Sequence, residues 1–99
     1  MTITSNVLEG VALSSLSAGS SIDVETKSRR YHIESLGGDA IRISGHPDYC
    51  PSPEVGQLYG SVNDEGVVEV GLLEPGMRMM FFVHNRPVTT SRIVSVRVN

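Results

Sequence analysis

Residues 21–44, SIDVETKSRRYHIESLGGDAIRIS, decide the fold. Ile22, Val24 and Thr26 alternate with Asp23 and Glu25, the two-residue period of a strand with one face buried. Lys27, Ser28 and Arg29 supply a polar turn. Tyr31 and Ile33, extended to Leu36, then open a second strand that turns His32 and Glu34 the other way. Gly37-Gly38 tolerates positive φ and signals a hairpin. Asp39 to Ser44 returns as a third strand, with Ile41 and Ile43 inward and Arg42 outward. The product is an antiparallel meander.

Downstream the same grammar continues. VGQLYGSVN reads as a fourth strand with Val55 and Tyr59 at its two ends, and Asn63-Asp64-Glu65-Gly66 as a tight turn. Val67 to Leu73 is a fifth strand, and Pro75-Gly76 suits the centre of a type II turn. MRMMFFV (Met77 to Val83) is the most apolar run and the expected centre of the core. His84 to Pro87 turns the chain again, and Val88 to Val98 closes it. Ile93 and Val94 are adjacent apolar residues where the alternation slips, so a bulge is expected there.

Upstream, the signal is mixed. Residues 1–6 are polar and read as frayed. Val7, Leu8, Val11, Leu13 and Leu16 can face a core from a short helix or an irregular turn, but Gly10 and the serines weaken a helix. Six or seven short strands joined by Gly and Pro turns predict an all-β chain, a small antiparallel barrel or sandwich, with at most a short helical turn near the N-terminus. Residues 1–99 read as a single domain, with 45–54 as a Pro-rich crossover loop.

Composition narrows the function classes. Eight Lys and Arg against eleven Asp and Glu give a net charge of -3, which argues against general nucleic-acid binding, a function that needs many phosphate-neutralising cations. The charge is unevenly placed: Glu9, Asp23 and Glu25 lie in the first 26 residues without a basic partner, whereas Arg78, Arg86, Arg92 and Arg97 fill residues 75–99 without an acid. Such asymmetry pairs opposite charges on neighbouring strands or across a subunit contact. One cysteine forms no internal disulfide, and the N-terminus lacks the basic and long apolar regions of a signal peptide. No run approaches the ~20 apolar residues of a membrane span. The expectation is a soluble cytoplasmic protein that does not engage membranes.

The chemistry-bearing residues gather in the loop HPDYCPSP, residues 46–53. His46 and Cys50, with Asp48 between them, are candidate metal ligands, because imidazole and thiolate both suit Zn²⁺. A closed zinc site needs four ligands, and only the isolated His32 and His84 remain to supply more. The same pair could instead serve as a thiol nucleophile with its base, although no orienting third group or oxyanion donor is identifiable. Set against both, Cys50 is a small apolar side chain pinned between prolines, and His46 and Asp48 are turn formers. No phosphate-loop, nucleophile-elbow or dinucleotide motif is present.

Arg29-Arg30 followed by Ser35-Leu36-Gly37-Gly38 resembles the arginine and S-x-x-G elements of the PilZ family, six-stranded barrels that bind cyclic di-GMP. The resemblance implies a nucleotide-binding barrel. The chain departs from the family pattern: its arginines are adjacent rather than separated by three residues, they stand closer to the serine motif, and Ile33 stands where the family has Asp or Asn. A nucleotide or anion site would rest on Arg29, Arg30 and Arg42. Thr89, Thr90 and Ser91 beside Arg92 could form a further anion-tolerant strip, and the Met77, Met79 and Met80 group reads as core, although an exposed Met-rich edge would be a partner site.

With no catalytic constellation and sheet edges to cover, the leading expectation is a non-enzymatic β-barrel binding or assembly module whose partner is another protein or a second copy of itself. No cofactor is expected, apart from Zn²⁺ in the His46–Cys50 loop alternative.

Overall fold

The computed structural model describes residues 6–7 and 10–99. Of the frayed end foreseen over residues 1–6, residues 1–5 lie outside the described residues, as does the inward place foreseen for Leu8, whereas Asn6 is not frayed but pairs with Arg97. Ten strands form in chain order: β1 (Asn6–Val7), β2 (Val11–Ala12), β3 (Ser21–Thr26), β4 (Arg30–Gly37), β5 (Ala40–Ser44), β6 (Glu54–Val62), β7 (Val68–Val70), β8 (Leu72–Leu73), β9 (Arg78–Val83) and β10 (Arg86–Val98). One 3₁₀ turn, Leu13–Ser15, is the sole helical element among the described residues.

The long strands close a barrel. Antiparallel pairing runs β3–β4–β5–β6–β9–β10 and returns from β10 to β3. β10 makes this possible by its length. Its first half pairs with β9, its second half pairs with β3, and β1 takes the edge of β10 beyond β9. Closure removes most sheet edges.

Alternation fills the interior as expected. Ile22 and Val24 of β3, Tyr31 and Ile33 of β4, Ile41 and Ile43 of β5, and Met79, Phe81 and Val83 of β9 are all buried. Tyr31 meets Phe81 edge-on at a centroid distance of 5.8 Å, a favoured aromatic geometry. Leu36 is exposed instead of inward. Ser35 keeps the β4 alternation and is buried, and the pairing with β5 shifts between Ser35 and Gly37. The expected bulge in β10 is present: register slips between Ile93 and Ser95, leaving Ile93 buried and Val94 exposed.

The ends of the barrel are stoppered. At one end the small β2–β8 sheet brings Val11 and Leu73 into the core, with Leu13 and Leu16 packed against it. The strand expected over Val67 to Leu73 is therefore two strands. Gly71, at φ +74, bends the chain so that β7 stays on β6 while β8 turns to β2. Ser61 holds this bend, since its hydroxyl donates to the Leu72 carbonyl at 2.6 Å and accepts from the Glu74 N–H at 3.0 Å. At the opposite end lie the Pro-rich loop and the β9–β10 hairpin. His84 and Asn85 of that hairpin both have positive φ, 55° and 62°, the backbone of a type I′ turn.

Candidate functional site

The Pro-rich loop joins β5 to β6, and those strands pair directly, so it is a long hairpin connection. It folds on its own backbone. The Gly45 N–H donates to the Cys50 carbonyl (2.9 Å), and the Cys50 N–H donates to the His46 carbonyl (3.0 Å). His46 Nδ1 accepts from the Asp48 and Tyr49 N–H groups at 3.1 and 3.4 Å, and its ring lies 4.7 Å from that of Tyr49. Asp48 is exposed. Cys50 is enclosed in the core, where burial pushes its thiol pKa up. Imidazole and thiol thus face different surroundings, one the loop surface and the other the core. Among the described residues no group of three His, Cys, Asp or Glu side chains could hold a metal ion.

The arginines are dispersed. Arg29 sits in the β3–β4 turn, Arg30 is 84% exposed and lies 3.9 Å from Glu25, and Arg42 donates to Glu34 at 2.9 Å. Gly37-Gly38 is at the far end of β4, about 23 Å from Arg30 at the usual strand rise. Ser35 faces the core. The arginine and S-x-x-G elements therefore do not share one surface. The Thr89–Arg92 strip is likewise occupied. Thr90 is buried, its hydroxyl accepting from the Met79 N–H, and Arg92 forks onto Asp64 at 2.6 and 2.7 Å.

Cross-strand register divides the barrel exterior into two unlike faces. On β10, β3, β4 and β5 the outward residues run Arg97–Asp23–His32–Ser44 in one row. Glu25 is opposite Arg30, and Glu34 opposite Arg42. Asp23 is the hub: His32 Nδ1 lies 2.7 Å from one carboxylate oxygen, and Arg97 and Asn99 each donate to the other at 3.0 Å. Burial pushes the Asp23 carboxyl upward, but these hydrogen bonds outweigh it and hold the pKa at about 2. A groove of about 540 Å³ lies over the row from Arg97 to Ser44 and the Glu25–Arg30 pair. Its charges already satisfy one another within the chain, so the Arg-rich C-terminal strands meet the acidic β3 without a second subunit.

The other face is apolar. Outward from β9 point Met80 and Phe82, both half-buried. Tyr59 of β6 is exposed and meets Phe82 edge-on at 6.0 Å. Gly60 is opposite Met80 on one side and Val70 of β7 on the other, so the apolar row runs onto the next strand. Val70 is 68% exposed and Val55 60%. Val62 and Val68 form the next row, which ends at Arg78 on β9. Of the methionines, Met79 is core as expected, whereas Met80 belongs to this outer face.

No family model, curated protein or solved structure matches the chain.

The apolar face is legible in the sequence only in part, through the methionines of residues 77–80. Its linear trace is apolar residues at both parities, Met79-Met80 with Phe81-Phe82. A strand buried on one side alone has no need of both parities.

Proposed function

We propose that this protein is a non-enzymatic β-barrel whose work is to bind protein, through the outer face of β6 and β9 and the adjoining strand β7. The single observation that carries the reading is the division of the exterior. Half of it bears charges paired within the chain, while the other half presents Tyr59, Met80, Phe82 and Val70 as contiguous apolar surface. Contiguous exposed apolar surface on a folded domain marks an interaction site, and aromatic anchors contribute most of the binding energy at such sites.

The barrel supports this role physically. Its core is enclosed and its strands are pinned in register, so the outer side chains are held in place before a partner arrives, which lowers the entropy cost of docking. The experiment is a selection from a displayed library of random peptides against the whole chain. Enriched peptides should lose binding to the Tyr59→Lys and Val70→Lys variants and keep binding to His32→Ala, whose change lies on the charged face. Peptides indifferent to Tyr59→Lys and Val70→Lys would refute the reading.

A further inference from the structure

Among the described residues strand β7 has one side unpaired, and its backbone states which residues are available. The β6–β7 ladder pairs Gly60 with Val70, Ser61 with Glu69 and Val62 with Val68. The flanking bonds fix the phase. The Asn63 N–H donates to the Val67 carbonyl, and the Gly71 N–H to the Tyr59 carbonyl. Antiparallel ladders alternate bonded and non-bonded pairs, so Val67, Glu69 and Gly71 turn their amides to β6, whereas Val68 and Val70 turn theirs away. Among the described residues β7 pairs with β6 alone. Two residues with outward N–H and C=O groups form a docking edge for an added antiparallel strand.

The side chains restrict what that strand can be. Val68 and Val70 share the outer face with Met80 and Tyr59, and Glu69 stands between them on the opposite side, exposed and without an ion-pair partner among the described residues. The two-fold register that uses both valines of each of two copies sets Val68 against Val70 and Glu69 against Glu69. Like charges directly opposed across two strands repel, and a charge in the middle of a free edge is a known guard against self-pairing. The nearby cations are committed or misplaced: Arg92 is spent on Asp64, and Arg78 lies on the outer face under Val62.

We infer that β7 receives an extended segment of a different protein carrying an apolar–basic–apolar triplet, the Lys or Arg opposite Glu69 and the apolar residues opposite Val68 and Val70. The inference rests on the protein-binding reading above and specifies its partner.

The test uses three synthetic peptides with Val-Lys-Val, Val-Thr-Val or Val-Glu-Val at the centre, titrated into the whole chain by calorimetry at low salt. The Lys peptide should bind about fivefold or more tightly than the Glu peptide, as expected from one attractive against one repulsive cross-strand pair. Glu69→Lys should reverse that order. Val70→Pro should abolish binding of all three, because it removes an outward donor that the fold does not use. Equal affinities, or a preference that Glu69→Lys leaves unchanged, would overturn the charge rule while leaving docking on the edge in place. Binding of no peptide would overturn the inference, and the outer-face reading would then stand or fall by the displayed-library selection. Self-association of the wild type that Val70→Pro abolishes would make a second copy the occupant and also overturn it.

Discussion

Cys50 is the residue whose meaning changes most between sequence and structure. In the chain it sits amid His46, Asp48 and three prolines, which is where chemistry would be sought. In the fold its thiol belongs to the core, with both its N–H and its C=O bonded within the loop. A thiol whose pKa is raised by burial is a poor nucleophile. Iodoacetamide should therefore leave Cys50 unmodified in the native protein and label it at the rate of unfolding when urea is added, as followed by mass spectrometry. Fast labelling of the folded chain at neutral pH would show an accessible thiolate. Asp23 gives a second test at this scale. Its folded pKa, about 2, lies below the ordinary 3.8, so its contribution to stability is complete above the ordinary value and fades as pH falls from there towards 2. Asp23→Asn should lower the urea midpoint at pH 6, and the gap from wild type should close between pH 4 and pH 2. A constant gap across that range would remove Asp23 from the account of acid sensitivity. The core place of Cys50 was one of the readings its sequence allowed, whereas the role of Asp23 was not legible, because Asp23 meets His32 and Arg97 only once register is set across three strands.

At the scale of elements, much could be read directly. The alternation from Ser21 to Ser44, the Gly37-Gly38 hairpin and the slip at Ile93–Val94 each have a local cause, and each appears where the residues put it. The division of Val67–Leu73 into β7 and β8 was hidden for a physical reason. Gly71 can continue a strand or leave it, and what decides is Ser61, a residue ten positions earlier in the chain. Removing that hydroxyl leaves a part-buried carbonyl and a part-buried amide without their partner, a loss of about 1–3 kcal/mol. Ser61→Ala should thus lower unfolding free energy by that amount in urea titrations and raise amide exchange at Leu72 and Leu73. No change in either would mean that the β2–β8 stopper is held by Val11 and Leu73 packing alone.

The whole molecule is organised by closure. Once β10 reaches both β9 and β3, every long strand has two neighbours, and the exterior is left as one charged and one apolar face, with the short strands β1 and β7 at the two ends of the main sheet. Which outward residues end up together depends on strand order and register, so the apolar face could not be assembled from alternation alone. Among the described residues no helix is long and apolar enough to cross a membrane, and the surface features that remain to be used are Tyr59, Phe82, Met80 and the edge of β7. Amide hydrogen exchange by NMR, with and without the Val-Lys-Val peptide, tests this account most directly. In the free protein the Val68 and Val70 amides should exchange fast and the Glu69 and Gly71 amides slowly, and saturating peptide should slow Val68 and Val70 while leaving His32 and Arg97 unchanged. Val68 and Val70 amides already protected in the free chain, or unaffected by bound peptide, would contradict it.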